Sequence, residues 1–476
     1  MEKKYYHTIG LEIHAELATK SKMFCSDKND PNEKKPNVNI CPVCMAHPGT
    51  LPVVNKKAVE GVIKVGLAID GEIANFTEFD RKNYFYPDIP KGYQISQYKY
   101  PIVSGGNLAG FDITRVHLEE DTANNKHDRG DFSLIDFNRA GVPLLELVTE
   151  PHTFESAEEA AKKASSFAKE LQLILWYLGV SEANMEKGEM RVEANISVST
   201  EKGKLGTKVE VKNLNSFKSV EKAVKYELDR MIELDRSGKS NEIVQETRGW
   251  EEGKQKTFSQ RKKESSQDYR YFPDPDIPKF MLHEVFDLVK LRSELPELPT
   301  EKRARYKNNF GIKDEDIESY VNDLELAKWF EEVVKILKNL KATQLASNYI
   351  TSDYLGLKKI NLDIRCPNAE NFAELVSLVL ENKISSRVAK DILAMIVIKD
   401  ESPLKIATEK DLLQKNDPES LRKIAEGILE ANPKVVADYK NGKENALMSL
   451  VGQIMKETNG SANPQTAKQL LMNLLQ

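Results

Sequence analysis

The pattern of hydrophobic and polar positions near the N-terminus predicts a strand with one polar face. Apolar side chains alternate with polar ones from residue 9 to residue 17, which is the period of an extended strand. Two interpretations are open for the polar face: a solvated face of an antiparallel sheet, or oxygen ligands for a hard cation such as Mg²⁺. That face carries Gly10, Glu12, His14 and Glu16.

Further along the chain the pattern predicts two helices with a hairpin between them. Ser156 and Glu159 have the spacing of a capping box, and the apolar stripe that follows them ends at Gly179. A second stripe predicts a helix from about Phe217 to Asp235. Alternation over 192–211 predicts a hairpin whose polar positions carry carboxylates, an amide and lysines.

The composition shifts near residues 296–299, and from there the pattern is helical to the end, with a weaker boundary near 401–404. We therefore predict an α+β protein. A mixed-sheet domain at 1–293 precedes an all-α helical domain at 294–404 and an all-α tail domain at 405–476.

Charge and hydropathy limit the function classes. The chain has 476 residues, with 74 acidic and 69 basic ones, which argues against binding a polyanion through bulk charge but allows RNA contact through a local basic patch. The N-terminus has no apolar signal segment and no apolar run reaches the length of a membrane span. We expect a cytoplasmic protein that does not contact a membrane.

Several charged residues occupy positions where a core pattern predicts none. Glu146 lies within an apolar run, so it is either a metal ligand or the partner of Arg139 or Arg115 in an ion pair. Three acids at 119–121 follow an alternating strand, and form either a solvated turn or part of a site.

Cations also lie among aromatic residues, at Arg81 and Lys82 and again at Arg270. These positions suit phosphate contacts or plain strand packing. The chain has no phosphate-binding P-loop, no dinucleotide-binding glycine motif and no protein-kinase signature. Metal-dependent phosphoryl transfer remains open, because that chemistry needs mainly positioning and charge neutralisation.

Three of the four cysteines are close in sequence, at positions 25, 41 and 44. They form either a zinc site, with Asp27 or His47 as fourth ligand, or a group of reduced thiols. A disulfide framework is not expected in a cytosolic chain of this size.

The longest motifs together resemble one family, the B subunits of the bacterial aspartyl/glutamyl-tRNA amidotransferases. The tail resembles the C-terminal domain of that family at 438–443, 451–455 and 463–464. The motifs that carry the resemblance are Gly-Leu-Glu-Ile-His at 10–14, Asp-Arg-Lys-Asn-Tyr-Phe-Tyr-Pro-Asp at 80–88, Tyr-Gln-Ile-Ser-Gln at 93–97, His-Leu-Glu-Glu-Asp at 117–121, Asn-Arg-Ala-Gly-Val-Pro-Leu-Leu-Glu at 138–146, Lys-Asn-Leu-Asn-Ser-Phe at 212–217, Gln-Glu-Thr-Arg-Gly-Trp at 245–250 and Asp-Tyr-Arg-Tyr-Phe-Pro-Asp-Pro-Asp at 268–276.

The resemblance implies an enzyme of three different subunits. The A subunit is an amidase that releases ammonia from glutamine, and the C subunit is small. The B subunit uses ATP and Mg²⁺ to phosphorylate the side-chain carboxylate of misacylated Glu-tRNA(Gln) or Asp-tRNA(Asn), and ammonia displaces the phosphate. The cradle-shaped sheet domain is expected to hold this chemistry, and the helical and tail domains are expected to hold tRNA.

By the same resemblance we assign candidate residues. Glu12, His14, Glu120 and Glu146 are expected to bind Mg²⁺ and to act in catalysis together with Lys82. Substituting Glu120 by Gln is then expected to abolish phosphorylation of Glu-tRNA. The candidate nucleotide- and phosphate-binding residues are Arg81, Glu150, Glu210, Arg248 and Arg270.

The chain departs from the family pattern in three places. Glu193 stands where the family has Asp, Asp27 stands where zinc-type members have a cysteine, and a different segment follows Asp121. Two other functions stay open on the residues alone: a tRNA-binding adaptor without its own catalysis, and a stand-alone carboxylate kinase. The acids on strand faces favour the amidotransferase, because an adaptor for an anionic ligand has no use for them.

Overall fold

The computed structural model describes residues 3–126, 130–262, 269–414, 418–443, 445–458, 462 and 464–475. The chain forms two compact units, Met1–Pro299 and Thr300–Gln476. Asp268 and Asn463, which belong to two of the family motifs, lie outside the described residues.

The strands all lie in the first unit, within the part of the chain that the structure describes. In chain order they are β1 (Tyr6–Glu16), β2 (Glu72–Ile73), β3 (Phe76–Thr77), β4 (Asp80–Asn83), β5 (Tyr93–Ser96), β6 (Val103–Ser104), β7 (Asn107–Leu108), β8 (Phe111–Glu120), β9 (Asn124–Lys126), β10 (Leu134–Asp136), β11 (Pro143–Thr149), β12 (His152–Phe154), β13 (Met190–Ser199), β14 (Val209–Leu214), β15 (Glu246–Glu251), β16 (Lys256–Lys262), β17 (Phe272–Pro273) and β18 (Phe280–Met281).

The helices of this unit are few and two of them are long. They are α1 (Lys56–Ala68), α2 (Ala157–Tyr177), α3 (Phe217–Arg236), α4 (Leu282–Val285) and α5 (Leu288–Ser293), with a 3₁₀ turn at Ser240–Glu242.

One large sheet organises the first unit, in the strand order β16-β15-β14-β13-β1-β11-β8-β6-β2, with β12 beside β1 and β7 beside β8. Only the β14–β15 pair of this sheet is parallel among the described pairings. Small sheets add β17-β4-β5, β10-β9 and β18-β3. The central strand, β1, is therefore flanked by β11 and β12 on one side and by β13 on the other.

The core lies on one face of the large sheet. The apolar positions of β1, among them Ile9, Leu11 and Ile13, are fully buried, and α2 and α3 pack against each other and against β1 and β13. As predicted, the Ser156 side chain caps α2 by accepting a hydrogen bond from the backbone N–H of Glu159. With the core on one face, the charged positions of the same strands collect on the other.

The second unit is helical throughout its described residues. Its elements are α6 (Pro299–Phe310), α7 (Asp314–Val321), α8 (Leu324–Leu337), α9 (Leu340–Asn348), a π-helix at Tyr349–Tyr354, α10 (Leu355–Ile360), α11 (Ala369–Leu380), α12 (Ser386–Ile396), α13 (Pro403–Glu409), α14 (Pro418–Ala431), α15 (Pro433–Lys440), α16 (Asn445–Glu457) and α17 (Pro464–Leu475).

These elements confirm the predicted α+β class, with a mixed sheet followed by helices. The predicted hairpin is present as β13 and β14, and the second predicted helix is α3. The expected boundary at 404/405 falls inside α13, whose Ile406 and Ala407 are buried. A separate hydrophobic core begins at Leu421 and continues to Leu475. Among the described residues, no helix combines the length and the hydropathy that crossing a membrane requires.

Candidate active site

Strand register builds one polar face across the middle of the large sheet. His14 on β1 lies opposite Glu146 on β11, and Glu146 lies opposite His117 on β8. Glu12 lies opposite Glu193 on β13. Because directly opposed residues of antiparallel strands point to the same side, these side chains share one surface.

The ring of His14 lies at the centre of this surface. Its Nε2 atom is 3.4 Å from Glu146 Oε2, 3.6 Å from Glu119 Oε1 and 3.8 Å from Glu12 Oε1. The His117 Nε2 atom is 3.2 Å from the same oxygen of Glu146. We call these five residues the Glu–His cluster: Glu12, His14, His117, Glu119 and Glu146.

The crowding of charge shifts the protonation of these groups. Burial lowers the pKa of His14, but the hydrogen bond and charge of Glu146 and the charge of Glu119 outweigh it and raise that pKa to about 9. Burial alone would raise the pKa of Glu146, but the hydrogen bonds and charges of His117 and His14 hold that pKa well below its usual value. Burial, with the charges of Glu146 and Glu193, raises the pKa of Glu12 to about 7.

The Glu–His cluster contains side chains that could hold a divalent cation. Two sets of ligand atoms each lie within 4.8 Å of one another, one from Glu12, His14 and Glu146 and one from His117, Glu119 and Glu146. Ligands of one octahedral Mg²⁺ are about 3–4 Å apart, since each bond is about 2.0–2.1 Å long. Among the described residues, nothing hydrogen-bonds to the buried Oε2 atom of Glu119, which leaves it available as a ligand.

Glu119 takes the place in this geometry that we expected for Glu120. Side chains of β8 alternate, so His117 and Glu119 face the cluster and Glu120 faces away from it. Glu120 instead accepts a hydrogen bond of 2.9 Å from the backbone N–H of Ile95 and lies 2.7 Å from Lys91 Nζ. The structure does not bring Glu120 together with the other three predicted ligands.

Lys82 reaches the cluster from β4, whereas its neighbour Arg81 points away. The Lys82 Nζ atom is 3.7 Å from Glu119 Oε2, and the charges of Glu119 and Glu146 raise its pKa well above the usual value despite the opposing effect of burial. Arg81 donates to Asp274 at 2.8 Å and to Asp276 at 3.0 Å. Arg81 therefore fastens the segment after residue 269 to β4.

A β-bulge extends the polar face toward β14. The register of β13 and β14 shifts between Val192 and Ala194, and Asn213 on β14 has a φ of 59°, which Asn tolerates better than most residues. Lys212 lies 2.6 Å from Glu193 Oε2 and 3.5 Å from Glu210 Oε1. Glu193 is thus paired with a lysine beside Glu12, and the predicted residue Glu210 also lies on this face.

The other end of the polar face holds a buried ion-pair group whose pairing the sequence did not predict. The Asp121 carboxylate lies 3.1 Å from Arg191 and 3.4 Å from Arg139. Arg139 is therefore bound to Asp121, and Glu146 takes the two histidines as partners. Glu16 is buried rather than part of a solvated face, and burial and the charge of Asp121 raise its pKa to about 8.

A second cluster of potential metal ligands lies in the loops after β1. The Cys44 Sγ atom is 3.6 Å from Cys25 Sγ, 3.9 Å from Cys41 Sγ and 3.1 Å from Asp27 Oδ2. Two thiolates on one tetrahedral zinc ion are about 3.8 Å apart, because each Zn–S bond is about 2.3 Å. Asp27 rather than His47 completes the group.

Comparison with known proteins identifies the family to which this fold and site belong. The family model described as the GatB/GatE catalytic domain matches residues 7–286, and the model described as the GatB domain matches 328–475. The chain belongs to the family of aspartyl/glutamyl-tRNA(Asn/Gln) amidotransferase B subunits. Residues 7–286 contain the whole Glu–His cluster.

Individual relatives are similar in sequence to this chain along nearly their full length. The B subunits of the aspartyl/glutamyl-tRNA(Asn/Gln) amidotransferases from Gloeothece citriformis and Thermotoga maritima are each 42% identical to this chain. The match covers 98% of this chain and 97% of the first relative, and 99% of both chains for the second. The predicted family is confirmed, and with it the enzyme class, a ligase that converts misacylated Glu- or Asp-tRNA to Gln- or Asn-tRNA.

Three predicted residues of this amidotransferase chain lie apart from the cluster. Arg248 contacts Glu246 and Thr257 and lies 3.3 Å from Glu227 of α3, so it faces the helices. The exposed Glu150 accepts from the Thr114 hydroxyl at 2.7 Å. The Arg270 side chain is also exposed, and its φ is 45°.

Proposed function

We propose that this chain transfers the γ-phosphoryl group of Mg²⁺-ATP to the side-chain carboxylate of a misacylated Glu-tRNA(Gln) or Asp-tRNA(Asn), after which ammonia displaces phosphate to form the amide. The observation that carries the proposal is the approach of three carboxylates, from three strands, to one ring nitrogen of His14. Ammonia attacks a free carboxylate poorly, and phosphorylation supplies the leaving group that the reaction needs.

The residues proposed to hold Mg²⁺ are Glu12, His14, Glu119 and Glu146, and His117 orients Glu146 through its 3.2 Å contact. When bound there, the ion would neutralise charge that develops on the transferred phosphoryl group. We replace Glu120 by Glu119 in this set because Glu120 is held by Lys91 and by the backbone of Ile95.

Lys82 is the proposed contact for the anionic substrate groups. Its side chain is partly buried, and its ammonium group lies next to Glu119 and 5.4 Å from the centre of the Tyr269 ring. When a cation binds Glu119, Lys82 would break its ion pair with Glu119 and form one with a phosphate group instead. Arg81 has a positioning role, since both of its contacts hold the segment at 274–276.

Of the other predicted nucleotide- and phosphate-binding residues, only Glu210 keeps a proposed role. We propose that Glu210 and Lys212, a residue that the sequence analysis did not predict, supply charge at the edge of the nucleotide site, because both lie on the polar face near Glu193. Arg248, Glu150 and Arg270 have no proposed role in phosphoryl transfer, since their positions separate them from the cluster.

Two further proteins and tRNA are the proposed partners. An amidase, the A subunit, would supply ammonia, and the small C subunit would complete the heterotrimer; the designation of the relatives as B subunits supports this. We expect the isolated chain to use free ammonia but not glutamine as the nitrogen donor. We propose that the helical domain and the tail hold the tRNA, and that the enzyme is cytoplasmic like other translation enzymes.

The cysteine cluster is proposed to bind a structural Zn²⁺ through Cys25, Asp27, Cys41 and Cys44. The match between the two sulfur–sulfur distances and tetrahedral geometry supports this set. One zinc per chain by elemental analysis, lost in a Cys44→Ser variant, is the expected result. Zinc content that is unchanged by the substitution would contradict the set.

Neighbouring glutamates on β8 provide a matched test of the phosphoryl-transfer site. Glu119→Gln is expected to lower ATP-dependent amidation by about 100-fold or more, the usual effect of removing a group aimed at developing charge. Glu120→Gln should lower the melting temperature, because it weakens the pair with Lys91, but should leave amidation within a few-fold.

The assay uses preformed Glu-tRNA and free ammonia, so that glutamine hydrolysis by the amidase does not limit the rate. Binding of tRNA, measured separately, is expected to stay within a few-fold for both variants. Full amidation by Glu119→Gln would refute the proposed site, and a loss confined to Glu120→Gln would restore the set predicted from the sequence alone.

A further inference from the structure

A fully buried lysine lies against the proposed zinc ligands, and the proposed function does not use it. Lys22, in the loop after β1, is 0% exposed, and no other lysine of the described residues is buried so completely. Burying an ammonium group is unfavourable unless hydrogen bonds and a negative charge compensate for the lost hydration. The contacts of Lys22 therefore indicate which negative charge it balances.

Each of the three N–H groups of this ammonium has an acceptor. Lys22 Nζ donates to the backbone carbonyl oxygens of Asn39, at 2.7 Å, and Phe137, at 3.1 Å. Its third contact is Cys44 Sγ, at 3.6 Å. An ammonium group has three donors and no acceptor, so these contacts satisfy it completely. Among the described residues no carboxylate pairs with Lys22, so Cys44 is the contact that can carry a negative charge.

The sulfur of Cys44 carries a negative charge when a metal ion binds it, because cysteine coordinates zinc as a thiolate. Three thiolates and one carboxylate bring four negative charges to the two positive charges of Zn²⁺, so the occupied site is an anion. The Cys44 side chain is buried, and water therefore does little to offset this charge. The Lys22 ammonium group lies beside the sulfur and can offset part of it. Hydrogen bonds from outside the ligand set commonly hold a ligand in place and strengthen metal binding.

Lys22 also joins three segments of the chain at this point. Its backbone N–H donates to the carbonyl oxygen of Asp27 at 3.0 Å, so the turn that carries this ligand begins at Lys22. Its side chain holds the carbonyl oxygen of Phe137 in the turn before β11, and Asn138 of that turn accepts a hydrogen bond of 2.9 Å from the backbone N–H of Asn39. One buried lysine therefore ties the loops that supply metal ligands to each other and to the central sheet.

We propose that Lys22 is a positioning residue of the zinc site: its ammonium group holds the Cys44 sulfur and offsets the negative charge of the occupied site. The inference rests on the proposed zinc set and adds to it a residue that is not itself a ligand. The dependence is mutual. The zinc–thiolate group is the anionic partner that holds Lys22 in place, and Lys22 in turn raises the affinity for the ion.

The zinc affinity of the full-length chain, measured by competition with a chromophoric chelator, tests this role. Lys22→Met keeps a side chain of similar length but removes the charge and the three donors. It is expected to weaken zinc binding about 10- to 100-fold, the usual effect of removing a group that orients a metal ligand. Lys28→Met is the matched control, because Lys28 is exposed and pairs with Asp30 at 2.7 Å, and its zinc affinity should stay within about twofold of the wild type.

Co²⁺ in place of zinc distinguishes a direct contact with sulfur from a general loosening of the loops. The charge-transfer absorption of bound Co²⁺ comes from its thiolate ligands, and a hydrogen bond to sulfur moves this band to shorter wavelength. We expect Lys22→Met to move the band to longer wavelength at unchanged intensity, and Lys28→Met to leave it in place. A band that weakens without moving would overturn the proposal, because a ligand would then have been lost rather than a hydrogen bond to it.

Amine labelling of the wild-type chain keeps the proposal testable if Lys22→Met does not fold. With zinc bound, Lys22 should react with acetic anhydride at least about tenfold more slowly than the exposed Lys20 and Lys28. Removing the zinc with a chelator should bring its rate towards theirs, and protection that persists without zinc would overturn the proposal. A wild-type chain that binds no zinc would refute the zinc set and this role together, whereas equal zinc affinities of the wild type and Lys22→Met would refute the role alone.

Discussion

His14 is the residue on which the proposed site depends, since Glu12, Glu119 and Glu146 all approach its Nε2 atom. Without a cation, a proton on the imidazole offsets the carboxylates of Glu146, Glu119 and Glu193, which raise the pKa of His14 to about 9 against the effect of burial. A metal ion bound to Nε2 must displace that proton. Metal binding and proton binding therefore compete at this residue.

This competition predicts a pH dependence for cation affinity. His14, with a pKa of about 9, and Glu12, with a pKa of about 7, are both protonated at low pH and must lose a proton to become ligands. Affinity for Mg²⁺ should therefore rise as the pH increases from 6 to 9, by up to about tenfold per unit for each proton released.

Calorimetric titration of Mg²⁺ in two buffers of different ionisation enthalpy measures the protons released. The Glu120→Gln variant, whose carboxylate lies outside the cluster, should show the same dependence as the wild type. A dissociation constant that stays flat between pH 6.5 and pH 8.5 would contradict the assignment of His14 as a ligand.

At the scale of single residues, the sequence identified the types of candidate metal ligand but not always which residue lies in the cluster. Alternation and a charge within an apolar run marked Glu12, His14 and Glu146 as candidates, the family resemblance assigned them to Mg²⁺, and the structure places them together. Between Glu119 and Glu120 the sequence had no means to choose, because the acids at 119–121 are consecutive and only the pairing of β8 with β11 decides which one faces β1. The choice of Asp27 over His47 likewise depends on loop folding.

At the scale of elements, periodicity was sufficient for the long helices and for the β13–β14 hairpin. Both predicted helices begin at capping serines, Ser156 and Ser216, whose side chains accept backbone hydrogen bonds. Helix periodicity and capping depend on residues that are close together in the chain, so both can be recognised in the sequence. Pairing between distant strands, such as β1 with β11 and β13, depends on contacts separated by more than a hundred residues, and no local pattern reports it.

The bulge opposite Glu193 is an element that sequence reasoning missed. It places Lys212 within 2.6 Å of Glu193. Asn213, with its φ of 59°, allows β14 to accommodate the additional residue of the bulge. Asn in a strand is the only signal of it in the sequence, and that signal is weak because Asn is also common in turns. The bulge explains how the longer Glu193 is accommodated: its carboxylate is held by a lysine beside Glu12.

At the scale of the whole molecule, the proposed division of labour between chemistry and tRNA binding can be tested by truncation. The tail from Leu421 onward has its own hydrophobic core, whereas α13 contributes buried residues to the helices before it. Ending the chain after Gln414 should therefore remove the tail without exposing the core around α13.

The truncated chain is expected to bind tRNA at least about tenfold more weakly in a gel-shift titration, while keeping its tRNA-independent ATP hydrolysis. Unchanged tRNA affinity would show that the tail does not hold tRNA. Loss of the basal ATP hydrolysis, with the melting temperature of the first unit preserved, would argue against separate roles for the two parts.

The central claim is that the Glu–His cluster serves phosphorylation of the aminoacyl side chain, and isotope transfer tests it most directly. Glu-tRNA with both side-chain oxygens labelled as ¹⁸O is converted by the wild-type enzyme with ATP and ammonia, and the inorganic phosphate is analysed by mass spectrometry. The account predicts one ¹⁸O atom in each phosphate formed during amidation, and a loss of labelled phosphate in Glu119→Gln that parallels its loss of product. Product formation with unlabelled phosphate would contradict it, because the carboxylate oxygen would then not have left with the phosphoryl group.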